Sequence, residues 1–294
     1  MHHKEFGYSM ESVYEISGVS RQGYFQEKKR GMQKESILER TQEMVLQVRA
    51  DHPKIAARPM HYMLNIDMMG INKFEELISS LGLGIKRKKL WIKTTNSNHN
   101  YRTYGNLVNG IVLDGINQLW VSDITYLIMQ EKVYYIIFIQ DVYSRAILGY
   151  SASDNMYTIN NIWTLKMALK SRGTKAIPGL IHHSDKGSQY CSNEYIKLMK
   201  SSGMNISMAS NSLENPYAER LNGTVKNDYL LAYDNSTLSK LKKSLDRVVW
   251  LYNNERPHSE LGYLSPAKYE GKIANMAIGQ RYKMELYDFR KDLK

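Results

Sequence analysis

Residues 179 to 226 read GLIHHSDKGSQYCSNEYIKLMKSSGMNISMASNSLENPYAERLNGTVK, and the reading of this stretch decides the fold. The apolar run Gly179-Leu180-Ile181 leads into Asp185, as a strand leads into a glycine-containing loop. Asn215-Pro216 then opens a helix, since Asn is a good N-cap and Pro at the first helical position loses no hydrogen bond. Glu219 falls in the first turn of that helix. Lys226 lies seven residues on, two turns later, and therefore on the same face. A third carboxylate, Asp123, sits within the strand-like run Leu119 to Tyr126, where Asp is disfavoured and unpaired burial is costly. Two strand aspartates and a helix glutamate supply the hard oxygen ligands that a pair of Mg²⁺ ions needs beside a phosphate.

Working outward, residues 118–153 hold three β-branched and aromatic runs: Leu119–Met129, Val133–Gln140 and Arg145–Ser153. Short turns separate them, which predicts an antiparallel meander. Helices are expected at Ile159–Lys170, Asn193–Ser201, Asn215–Leu231 and Leu238–Asn254, with strands at Gly179–His183 and Ile206–Met208. This alternation is that of an α/β core. The N-terminal third reads as helical. Residues 8–30 predict a helix–turn–helix turning at Gly18, whose Ser20, Arg21 and Gln22 would face DNA. Ile37, Leu38, Met44, Val45 and Val48 recur at helical spacing, and Asn72 is expected to cap a further helix that ends at Gly82. Lys86-Arg87-Lys88-Lys89 is either a solvated linker or a phosphate-binding strip.

The net charge is +11, and it is unevenly placed. Residues 1–104 hold 17 Lys and Arg against 11 Asp and Glu, residues 236–294 hold 12 against 7, and the middle has 11 of each. Basic flanks around a neutral, acid-bearing middle suit a DNA-handling enzyme, in which cations meet phosphates and carboxylates are kept for metal. The single cysteine, Cys191, excludes a disulfide framework and a cysteine zinc site, and no apolar run approaches the roughly 20 residues of a membrane span. The N-terminal residues lack the apolar region of a signal peptide. A cytoplasmic, nucleoid-associated protein is expected.

Five segments, in order, carry a resemblance: Trp120-Val121-Ser122-Asp123-Ile124-Thr125-Tyr126; Asp141-Val142-Tyr143-Ser144-Arg145; His183-Ser184-Asp185-Lys186-Gly187-Ser188-Gln189-Tyr190; Glu214-Asn215-Pro216-Tyr217-Ala218-Glu219-Arg220; and Tyr252-Asn253-Asn254-Glu255-Arg256-Pro257-His258. Together they resemble the OrfB-type insertion-sequence transposases, whose DDE catalytic core is similar to that of retroviral integrases. The resemblance implies a ribonuclease-H-like fold preceded by small all-α helix–turn–helix modules. It implies domains at 1–34, 35–94 and 116–275, a linker at 95–115 and a basic tail at 276–294. It implies Asp123, Asp185 and Glu219 as catalytic ligands of two Mg²⁺ ions, with Mn²⁺ as a substitute. Lys226, Arg220, Arg256 and His258 join the basic strip and the recognition helix as DNA contacts. The partners implied are double-stranded DNA, as terminal inverted repeats and target, further copies of the chain, and an upstream reading-frame product. Two alternatives remain at this point, a nuclease of the same fold that does not join ends and an inactive DNA-binding relic.

Three residues compete for roles. Asp141 is a rival ligand placed where Asp commonly serves a turn. Glu214 is a rival to Glu219, raised because the interval from Asp185 to Glu219 is slightly shorter than the family's, but it precedes the helix and lacks the register with Lys226. His258 is open between phosphate contact and loop anchoring. His182 and His183 are read as orienting groups, and Asn222 and Asn227 as lying off the helix face of Glu219. The family usually has a glycine where this chain has Ala56.

Overall fold

The structure, a computed structural model, describes residues 9–67, 69–85 and 101–290. It divides into two compact units, 1–51 and 52–294.

In the first unit, α1 (Met10–Ser17) is capped by the Ser9 hydroxyl, which accepts from Ser12 N–H, and ends at Gly18 with φ 68°. Ser20 Oγ accepts from Gly23 N–H at 3.1 Å and so opens α2 (Arg21–Asp51). This helix runs for 31 residues and passes without a break through the expected module boundary at 34/35. Lys, Glu, Gln, Arg and Met dominate it, Gly23 lies in its first turn, Gly31 in its interior costs only about 1 kcal/mol, and no proline occurs before Pro53. Nothing in the chain stops the helix.

In the second unit, α3 (Ala57–Leu64) and α4 (Ile71–Ser80) pack through buried Met60, Phe74 and Ile78. Ala56 stands at φ −68°, so no glycine is needed there. The cap of α4 is Gly70 rather than the expected Asn72, which lies inside the helix.

The centre of this unit is a five-stranded sheet in the order β4-β3-β2-β5-β6. After a two-residue β1 (Val112–Leu113), β2 (Leu119–Met129) turns through Gln130 and Glu131, both at positive φ, into antiparallel β3 (Lys132–Asp141). Positive φ at both turn residues matches the twist of the paired strands. β4 (Ile147–Ser153) completes the meander. α5 (Thr158–Ser171) crosses to β5 (Ile181–Ser184), which pairs parallel with β2. The short α6 (Ser188–Cys191) and α7 (Asn193–Ser201) lead to β6 (Asn205–Met208), parallel to β5. α8 (Pro216–Asp228) and α9 (Leu238–Asn254) bury Leu221, Val225, Leu241, Leu245 and Val248 in a core with Leu127, Ile136 and Phe138 of the sheet. A second core joins Trp120, Ile139 and Leu148 to Leu165 of α5 and Tyr195 of α7. Three antiparallel strands followed by two parallel ones, between helical layers, is the ribonuclease-H-like fold.

After α10 (Pro266–Ala274) the chain returns as β7 (Met284–Glu285), paired with β1, and buries Met284 and Leu286. Residues expected as linker and as tail thus close a third small core with Val108 and Leu113. The apolar alternation around 284 is too short to be read as a strand without its partner.

Gly149 is where α5 approaches β4 most tightly: a Cβ there would stand 2.2 Å from Thr164 O. Gly149→Ala is expected to destabilise the fold by about 2–3 kcal/mol through this overlap, read as a lower urea midpoint at unchanged m-value.

Candidate active site

The β2–β5 pairing sets Leu119 opposite Ile181 and Val121 opposite His183. Continued by one step of two residues, it places Asp123 opposite Asp185, on neighbouring strands roughly 4.8 Å apart. Asp185 follows the last residue of β5, where parallel strands open a crevice. Its Oδ1 accepts from Gly187 N–H at 2.9 Å, and a Cβ on residue 187 would stand 3.0 Å from that oxygen. Glycine is what lets the loop fold back over the carboxylate.

α8 brings the third acid. Asn215 occupies the cap position without capping: its Nδ2 donates to Ser122 O at 3.1 Å, tying the start of α8 to β2 beside Asp123. Glu219 sits in the first turn and is exposed. Asn222 donates from Nδ2 to Asp123 Oδ2 at 2.8 Å. Lys226 packs its ammonium over the Tyr126 ring, 4.5 Å from the centroid, and burial lowers its pKa. Asn222 is thus a site residue that the sequence reading set aside. Its spacing of three from Glu219 and four from Lys226 places it on their shared face, and that signal was legible.

Burial first, then the charge of Asp185 and, more weakly, that of Glu219 push the Asp123 carboxyl up to about 8. Among the described residues, no three His, Cys, Asp or Glu side chains stand close enough to grip one ion as they lie. The donor set nevertheless fits a hard divalent cation: three carboxylates around one crevice repel one another, and such an ion removes that repulsion.

The competing residues have other partners. Asp141 is fully buried, accepts from Asn117 N–H at 2.6 Å and Ser144 N–H at 2.9 Å, and lies 3.7 Å from Arg172, so it serves the turn. Glu214 Oε2 accepts from Asn106 and from Ser210 N–H. His183 bridges Ser207 Oγ and Glu214 O, and His182 meets Tyr195 OH; burial lowers their pKa values to about 4 and about 3, so both are neutral and structural. Cys191 is buried, its thiol pushed up to about 11, mainly by burial.

The expected DNA contacts divide. Arg256 is a correction: it is buried and donates to Asp228 Oδ2 at 2.7 Å and to Tyr229 OH at 3.2 Å, so its charge is already paired inside the fold. His258 lies against Tyr252 at 4.7 Å between centroids, and burial beside Arg256 and Arg145 lowers its pKa to about 3; it carries no charge and anchors its loop. Arg220 is exposed and donates to Glu260. In the other unit, Arg21 and Gln22 are exposed, while the Ser20 hydroxyl serves as a helix cap. Lys86, Arg87, Lys88 and Lys89 lie outside the described residues.

Integrase core domain families match residues 114–212 and 204–266 of this chain. An insertion element IS600 protein of 31 kDa from Shigella sonnei is 37% identical over 71% of this chain and 78% of its own. The transposase for insertion sequence element IS629, also from Shigella sonnei, is 33% identical over 66% of this chain and 65% of its own. Among solved structures, the HTLV-2 integrase catalytic core domain in complex with magnesium is similar at a TM-score of 0.43 and 20% identity, covering 56% of this chain and 99% of that one.

A carboxyl that holds its proton more tightly folded than unfolded makes the folded state bind the extra proton between its ordinary pKa of 3.8 and about 8. Stability then falls as pH rises through that window. Asp123→Asn removes the effect, so in metal-free buffer the variant's gain in Tm over the parent is expected to grow from pH 5 to pH 8. Added Mn²⁺ should raise the Tm of the parent and not of the variant, because an ion that binds only the folded state stabilises it.

Proposed function

We propose a function from one premise: this chain belongs to the insertion-sequence transposases that carry an integrase core domain. It is a transposase, a polynucleotidyl transferase of the DDE type. We infer that Asp123, Asp185 and Glu219 hold its metal, as two Mg²⁺ ions or Mn²⁺ in their place. The observation that carries this is the carboxylate crevice: a strand aspartate whose carboxyl is pushed up first by burial, then by the charge of Asp185 and, more weakly, by that of Glu219. Bound there, the metal would supply Lewis-acid stabilisation of the oxygens that attack and leave phosphorus.

The chain's own residues do the rest. Asn222 holds Asp123 Oδ2 in a fixed rotamer, so that one carboxylate faces the crevice in a single orientation. Asn215 fixes the start of α8 to β2 and with it the backbone from which Glu219 extends. Gly187 keeps Asp185 covered on its outer side. Lys226, with its stem half-buried over Tyr126, places a cation two turns from Glu219, beside the reacting DNA strand. The reading extends to nicking at terminal inverted repeats, joining of the 3′-hydroxyls to target DNA, assembly of several copies on DNA, an upstream reading-frame partner, and a place at the nucleoid. It is supported by the family and by the absence, among described residues, of a helix long and apolar enough to cross a membrane. The names of the relatives favour it over a nuclease that does not join ends.

Asp185→Asn keeps shape and loses charge. It is expected to abolish cleavage and joining of a labelled element end with either Mg²⁺ or Mn²⁺ while gel-shift binding persists; retained joining would remove Asp185 from the metal site.

Lys226→Ala should lower binding and joining of the element end while leaving Tm within a few degrees, since Ala favours helix. Lys226→Arg should recover part of the loss, because the charge stays but its shape changes. Asn227→Ala, about 100° further round the helix, should do little. Equal effects at 226 and 227 would contradict the face of α8 argued above.

A further inference from the structure

The face of α8 that carries Glu219, Asn222 and Lys226 leaves the opposite face to Tyr217, Arg220 and Thr224, since each residue turns the helix by about 100°. That second face lines a cleft of about 280 Å³, closed on its far side by the segment that contains His258, Glu260 and Tyr263. Three of the five segments that carry the resemblance thus meet in a place the active site does not use.

Arg145 stands at the centre. Its guanidinium lies over the Tyr217 ring, 4.3 Å from the centroid, and is nearly buried. Its backbone holds φ 63°, a conformation that costs a non-glycine residue free energy and persists only where the surroundings enforce it. Here Gln140 Nε2 enforces it by donating to Arg145 O at 2.9 Å, and Asp141 caps the same turn through Ser144. The strained turn delivers one cation to the cleft.

Glu260 is the anion that this cation meets. One of its oxygens accepts from Arg145 Nη2, and the other accepts from Arg220 Nη1 at 2.6 Å. Both oxygens are then used, yet Arg145 Nε–H remains buried without a hydrogen-bond partner. A buried N–H of this kind costs free energy until an acceptor arrives. A phosphodiester carries the same single charge as the Glu260 carboxylate but more acceptor oxygens, and Arg forks match it in geometry.

We propose that Arg145 and Arg220 form a second DNA-backbone site on the side of α8 away from the carboxylates, and that Glu260 occupies it until a phosphodiester displaces it. The site rests on the reading that this chain acts on DNA. The insertion-sequence transposase family of this chain favours DNA over an acidic protein segment as the occupant. Glu260 acts as an internal competitor. A duplex must bring enough additional contacts to expel it, so loosely engaged DNA is discriminated against.

The test uses the full chain and a labelled duplex, with anisotropy measured across a salt series. Glu260→Gln is expected to tighten binding about threefold to tenfold near 0.1 M salt and to steepen the log–log salt slope by about 1, the contribution of one more phosphate contact. Arg220→Ala, at a largely exposed position, is expected to weaken binding on its own and to cancel the gain when combined with Glu260→Gln. Glu194→Gln, an exposed change on α7, controls for the loss of one negative charge at a distance. A Glu260→Gln gain no larger than that of the control, or one that survives Arg220→Ala, overturns the site. So does a Glu260→Gln gain seen for polyglutamate and not for DNA. If Glu260→Gln does not fold, Arg220→Ala alone decides: an unchanged affinity and slope overturn the proposal. A wild-type chain that binds no duplex overturns the transposase reading and this site together, whereas wild-type binding without the Glu260→Gln gain overturns this site only.

Discussion

The parallel pairing of β2 with β5 is the constraint on which the rest of this molecule depends. It brings residues 62 positions apart into register, Leu119 with Ile181 and Val121 with His183, and so sets mid-strand Asp123 beside Asp185 at the end of β5. A parallel pair cannot be made by a tight turn; it needs a crossover of a dozen residues or more. α5 is that crossover, and Gly149 lets it lie against β4 without a clash. The two cores on either face of the sheet hold β2 and β5 in this register, because a slip of one residue would send every β2 side chain to the opposite face and into the wrong core.

A crevice of like charges is costly for the fold that carries it. Burial and the neighbouring acids make the ionised form of Asp123 unfavourable, and hydrogen bonds from the Ile124 backbone and the Asn222 amide offset only part of this. Such a centre is poised to bind a cation, and an unfavourable apo state is a reason for specificity toward hard divalent ions. α8 then works from both sides: one face supplies Glu219, Asn222 and Lys226 to the carboxylate crevice, and the other supplies Tyr217 and Arg220 to the arginine cleft. Anchoring that helix at its start through Asn215 and Ser122 therefore positions two sites at once.

Most of the core was legible before any coordinates, because its strands and helices repeat at their own periods over long runs. The limits of α7 and α9 coincide with those expected, and the strands differ by two residues or fewer. Asp123 stood out because a carboxylate is out of place in mid-strand. What local pattern misjudged has physical causes. The boundary at 34/35 separated two apolar helical patterns, but nothing between Arg21 and Asp51 breaks a helix. Asn215 has the chemistry of a cap, but Ser122 O is near enough to take its amide. Arg256 has the chemistry of a phosphate contact, but Asp228 and Tyr229 claim it inside the core.

By itself the sequence determined an α/β core, the order of its main elements and the helical register that puts Glu219 and Lys226 on one face of α8. These follow from periodicity and helical geometry, which act over a few residues, whereas the ribonuclease-H-like fold and the choice of three acids rested on the family resemblance as well. Only the tertiary structure decided which polar groups are already engaged: Asp141 and Glu214 in turns, Arg256 in a buried pair, Asn222 on Asp123, and Arg145 beside Glu260. Hydrogen-bond partners of this kind are separated by between 3 and 115 positions in the chain. A side chain's type says what it can bind, and only the packing of distant segments says what it meets first.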